Sequence, residues 1–140
     1  MCNHAVGACT VNIDRHLAPY SPPTTSFADV LSYWTEHQPE VVAYYFSDGD
    51  VQYAQITYRE LMSASLGIAR ELLRRGLRGE RALLMFHPGL DFMKAFLGCL
   101  YAGVVAVPAF TPRRNRNVAR LQAISENAEA RVALTMADVR

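Results

Sequence analysis

The stretch AFLGCLYAGVVAVPAF, residues 95–110, decides how this chain is organised, because it runs for sixteen residues without a charge. A helix that spans a membrane needs about 20 apolar residues, and Gly103 and Pro108 interrupt this run. The β-branched segment VVAV, residues 104–107, is typical of a buried strand. The stretch therefore predicts a helix that stops at Gly103, followed by a buried strand that ends at Pro108, and not a membrane segment.

Similar segments lie on both sides of this stretch. ERALLMFH (80–87) reads as a buried strand that Pro88-Gly89 closes, and RVALTM (131–136) reads as another. The helical patterns LDFMKAFLGCLYAG and VARLQAISENAEA lie between the strands. Alternating strands and helices favour parallel pairing with right-handed crossovers. We therefore predict an α/β fold, a partial open sheet with parallel strands near 81–86, 104–107 and 131–135 and crossover helices on the sheet.

The first half of the chain contains a different pattern. Residues 1–24, with APYSPPTT, are predicted to be a flexible leader. A helix capped by Thr25 or Ser26 follows, with Trp34 as a core anchor on its apolar stripe. Two β-rich runs around Asp48-Gly49 predict a hairpin. TYRELMSASLGIARELLRRGL then predicts an amphipathic helix, whose buried face we assign to Leu61, Met62, Ser65, Ile68, Ala69 and Leu72.

Composition excludes several classes of function. With 51% hydrophobic and 19% charged residues the chain is globular, and its net charge of +1 provides no field to attract nucleic acid. The basic cluster RRNR, residues 113–116, is interpreted as a solvated loop, with a phosphate site as the alternative. No basic and apolar signal segment opens the chain, so we expect a cytoplasmic protein.

The cysteines predict neither disulfides nor a metal site. Three cysteines do not make a disulfide framework in a chain of 140 residues. The spacing of Cys2, His4, Cys9 and His16 matches no usual zinc pattern. Cys99 lies inside the apolar stretch and is expected to be a small buried side chain.

Ligands of open α/β sheets gather beyond the carboxyl ends of the strands, here residues 87–89, 108–113 and 135–136. His87 is a candidate general base, although a turn histidine is the simpler interpretation. Asp91 and Glu126 are interpreted as solvated carboxylates rather than a catalytic pair, and Lys94 is the only lysine.

Common catalytic motifs are missing from these 140 residues. Neither GxGxxG nor GxxxxGK[ST] occurs, and the nucleophile motif GxSxG is absent. We therefore assign no catalytic, cofactor-binding or metal-binding residue to this chain.

Two segments nevertheless resemble a known enzyme superfamily. ITYREL (56–61) and FHPGLDFMKAFLGCLYAGVVAVPAFTPRRNR (86–116) are similar to the start of adenylate-forming, AMP-binding enzymes. The continuation PAFTPRRNRNVARLQAISENAEARVALT (108–135) resembles the fatty-acyl-AMP ligases, including those that load polyketide and nonribosomal assembly lines. Phe110-Thr111 and Phe86-His87 stand where Tyr-Pro is common in that branch. The resemblance implies that residues 25–140 are an incomplete N-terminal part of an adenylation domain.

The resemblance also implies a chemistry. In that family a fatty acid carboxylate attacks the α-phosphate of ATP, with Mg²⁺, and an acyl carrier protein can accept the acyl group. The family's Ser/Thr/Gly-rich phosphate loop, nucleotide pocket and C-terminal lysine have no matching positions here, so we expect no cofactor site and no activity in the chain alone. The alternatives are an interaction fragment that binds a partner, or itself, through an open sheet edge, and an unrelated small α/β domain.

Overall fold

The computed structural model describes residues 26–48, 51–109, 111 and 118–136. In chain order the elements are α1 (Phe27–His37), β1 (Val42–Asp48), β2 (Val51–Thr57), α2 (Tyr58–Arg74), β3 (Arg81–Met85), α3 (Leu90–Ala102), β4 (Val105–Ala109), α4 (Val118–Asn127) and β5 (Val132–Thr135). The predictions for the leader, the hairpin tip, RRNR and the set Cys2, His4, Cys9 and His16 fall outside the described residues.

Three of the strands form a parallel sheet in the order β4-β3-β5. Leu83 at the centre of β3 lies opposite Val107 of β4 on one side and Ala133 of β5 on the other. β3 takes the central place because its residues Ala82, Leu83 and Leu84 are all buried. The predicted parallel sheet and the α/β class are thus confirmed, and β1 and β2 form the predicted antiparallel hairpin.

β4 departs from the prediction in two respects. Pro108 does not end the strand but lies inside it, opposite Leu84 of β3. The strand is also not fully buried, since Val105 is 53% exposed and only Val104, just before the strand, lies in the core. Both differences follow from the position of β4 at the edge of the described sheet. An edge strand is covered less than a central one, and it tolerates a proline because the missing N–H is not needed to pair with a further strand.

Helix α3 lies between two apolar clusters, and this explains why the opening stretch carries no charge. One side of α3 packs Ala95, Cys99 and Ala102 against the parallel sheet. Leu97 packs on the other side, against the hairpin and α1. Gly103 ends the helix as predicted, with a left-handed φ of 65° that glycine adopts without steric cost. Among the described residues, no helix combines the length and apolar character needed to cross a bilayer.

The two N-terminal helices begin at side-chain caps. Ser26 caps α1 by accepting a hydrogen bond from the Asp29 N–H, which selects Ser26 from the two predicted caps. Thr57 and Glu60 form a reciprocal capping box at the start of α2. The predicted buried face of α2 is confirmed at Leu61, Ser65, Ala69 and Leu72, while Met62 and Ile68 are half-buried.

The two crossovers run in opposite directions. The chain passes from β3 to β4 on one side and then returns past β3 to reach β5 on the other. Right-handed crossovers in opposite directions place their helices on opposite faces of the sheet. α3 therefore covers one face together with α2, whereas α4 buries none of its residues.

Candidate functional site

A cavity opens at the carboxyl edge of the parallel sheet. It is a groove of 660 Å³ between α2, the start of α3 and β5, and we name it the edge groove. Thr135 and Met136, one of the three predicted strand ends, line this groove, together with Phe86, which follows the end of β3. Its floor is apolar and consists of Ile68, Leu72, Ala95, Val132 and Leu134.

Charged side chains from two helices line the rim of the edge groove. Lys94 donates to Asp91 one turn earlier on α3, with 2.8 Å between Nζ and Oδ1. Arg75 donates to Glu71 on α2, with 2.6 Å between Nε and Oε1. Because each rim cation already has a carboxylate partner, the rim contributes no net charge. The groove is therefore suited to apolar groups and not to an anion.

Glu71 is the most perturbed carboxyl group of the rim. Arg74 also donates to it, through two hydrogen bonds of 2.8 Å. The hydrogen bonds from Arg74 and Arg75 lower the pKa of Glu71 from 4.5 to about 2, so the carboxylate stays ionised at neutral pH. The pair from Glu71 to Arg75 has the i,i+4 spacing that stabilises helices. The sequence therefore contained a signal for this ion pair, although the pair was not among the predicted features.

The remaining sequence candidates do not converge on a catalytic arrangement. His87 is an exposed turn residue after β3 and does not line the edge groove, and Glu126 is exposed on α4. Asp91 pairs with Lys94 and not with Glu126. Cys99 is buried, and this burial raises the pKa of its thiol to about 11. A thiol that stays protonated at neutral pH is not an effective nucleophile.

The described residues contain no cluster that points to a site for ATP or Mg²⁺. No group of three or more metal-ligating side chains is found in the described part of the chain. Phosphate transfer needs cationic groups and backbone N–H groups directed at the phosphates, and the two cations that line the edge groove, Arg75 and Lys94, are already paired with Glu71 and Asp91. No step of a nucleotide reaction can therefore be derived from these residues.

A second, smaller cavity lies under α1, and we name it the α1 pocket. It has a volume of 230 Å³ and is lined by Phe27, Val30, Leu31, Trp34, Ala43, Tyr44, Tyr58, Leu61 and Leu97. Trp34 is only 9% exposed, which confirms it as a core anchor, and its ring stacks at 6.0 Å from that of Tyr58. Burial raises the pKa of Tyr44 and of Tyr58, so both phenols remain protonated donors. The sequence did not reveal this pocket, because it depends on how α1 docks on the hairpin.

Comparisons with known proteins place these elements in a family. The model of the protein family described as "AMP-binding enzyme" matches residues 31–140. The medium-chain-fatty-acid–[acyl-carrier-protein] ligase JamA of Moorena producens (strain JHB) is 42% identical over 118 residues, which cover 81% of this chain and 20% of JamA. The long-chain-fatty-acid–AMP ligase FadD26 of Mycobacterium tuberculosis is 32% identical over 118 residues, which cover 81% of this chain and 20% of FadD26.

Solved structures agree with the sequence matches. The fatty acid AMP ligase from Legionella pneumophila superposes with a TM-score of 0.73 and 35% identity, over 79% of this chain and 19% of that protein. The N-terminal subdomain of NpsA from Klebsiella oxytoca, with a TM-score of 0.64 and 21% identity over 79% of this chain and 26% of that one, shares the fold. The chain spans about a fifth of the length of the curated relatives it matches.

Proposed function

This chain belongs to the AMP-binding enzyme family, and we propose that it is the N-terminal segment of an ATP-dependent, fatty acid-activating ligase of the fatty-acyl-AMP ligase type. The observation that carries the proposal is the 35% identical match to the Legionella pneumophila ligase, whose structure was also determined with acyl adenylate and pyrophosphate. That match extends over 79% of this chain, so it is not limited to one motif.

For the whole enzyme we propose the following reaction. A fatty acid carboxylate oxygen forms a bond to the α-phosphorus of ATP, the bond from that phosphorus to the bridging oxygen breaks, and pyrophosphate leaves. The acceptor then bonds to the acyl carbon of the acyl-adenylate and AMP leaves; an acyl carrier protein is the candidate acceptor because JamA is named for it. A cytoplasmic location and the use of ATP and Mg²⁺ belong to the same proposal.

The contribution of this chain to that reaction is structural. Its parallel strands place residues at one carboxyl edge, where nucleotides and substrates of open sheets bind. Its described residues provide the apolar edge groove and two rim ion pairs, but no group positioned to bind a phosphate. We therefore propose that the 140-residue chain does not catalyse adenylate formation by itself.

A chimera tests this proposal. The matching segment of JamA is replaced by this chain, and pyrophosphate exchange into ATP is measured with medium-chain fatty acids. We expect exchange by the chimera and none by the 140-residue chain. A matched chimera that carries Gly98→Trp should lose exchange, because Gly98 permits the contact between α2 and α3.

The possible outcomes separate the proposal from its alternative. If the chimera folds but shows no exchange, the chain is not an equivalent ligase segment, and the role of an interaction fragment gains support. If the isolated chain itself exchanges pyrophosphate, the proposal of an inactive segment is wrong. Circular dichroism of the chimera distinguishes the first result from simple misfolding.

A further inference from the structure

We draw no further inference here: the strongest candidate, the apolar edge groove between α2, the start of α3 and β5, carries none, because nothing among the described residues shows what covers it.

Discussion

Gly98 is the position where a single methyl group is expected to change the packing most. A Cβ built on Gly98 would lie 2.7 Å from Cγ2 and 2.8 Å from Cβ of Ile68 on the facing helix, closer than carbon atoms normally approach. The branched Ile68 side chain is stiff at χ1 and cannot move aside easily. The close contact between α2 and α3 therefore depends on this glycine.

We predict that Gly98→Ala lowers the free energy of unfolding by about 1–3 kcal/mol, the usual cost of overpacking a core. Gly67 is the matched control, because it is also in a helix and a Cβ there meets nothing within 4 Å. Gly67→Ala should raise stability by up to about 1 kcal/mol, through helix propensity. Urea unfolding of the two variants measures the difference. Equal effects at both positions would show that the contact with Ile68 is not tight.

Glu71 leads to a prediction about pH. Its pKa is lowered to about 2 by Arg74 and Arg75, so its ionised form is favoured in the folded state. The stability that this carboxylate contributes is present above its ordinary pKa of 4.5 and is lost as pH falls through about 2. All three side chains are exposed, so the effect on stability is small.

The measurement is a titration of the Glu71 carboxyl carbon by NMR. We expect a midpoint near 2 in the wild type and a higher midpoint in Arg75→Gln. Arg59→Gln is the control, because Arg59 pairs with Glu40 and not with Glu71. A Glu71 midpoint that does not respond to Arg75→Gln would mean that the ion pair does not form in solution.

At the scale of elements, the start of α2 depends on its capping box. The Thr57 hydroxyl accepts a hydrogen bond from the Glu60 N–H, and the Glu60 carboxylate accepts one from the Thr57 N–H at 3.0 Å. Thr57→Ala is expected to lower the free energy of unfolding by about 1 kcal/mol, the typical value of a lost N-cap. Thermal unfolding should show a lower Tm, while Thr57→Ser should restore most of it. Ser63→Ala, an exposed change within the same helix, is the control and should not lower the Tm.

The sequence predicted those helix ends and strands that depend on neighbouring residues alone. Gly103 could be identified as a helix end because a left-handed residue with a φ of 65° favours glycine. The strands could be identified from short β-branched and apolar runs. The prediction that Pro108 ends β4 was wrong, because a proline can lie inside a strand at the edge of a sheet. Neighbouring residues do not show that β4 occupies an edge.

The arrangement of the elements could not be read in the same way. No local sequence pattern indicates that β5 pairs with β3 instead of β4, because the pairing depends on the direction of the second crossover. The edge groove results from this choice, since β5 brings Thr135 beside Phe86 and α2. The strand ends were predicted as the place to search, but their meeting with Glu71 and Arg75 required the tertiary structure.

At the scale of the whole molecule, the described sheet leaves apolar surface and strand edges uncovered. β5 pairs only with β3, so none of the described strands pairs with the N–H and C=O groups of its other edge. Val105 on β4 and Val118 on α4 are also well exposed. Exposed strand edges and apolar patches both promote association between copies.

We therefore predict that the isolated 140-residue chain self-associates and unfolds without a sharp transition. Four residues of β5 offer a short but β-rich edge, and a lysine on such an edge is a known barrier to pairing. Thr135→Lys should reduce association in sedimentation velocity experiments. Leu73→Lys adds the same charge at an exposed apolar position of α2, away from the strand edge, and should leave association unchanged. A wild-type chain that sediments as a monomer at all concentrations and unfolds cooperatively would contradict the prediction, and would show that these residues form a complete domain without further strands.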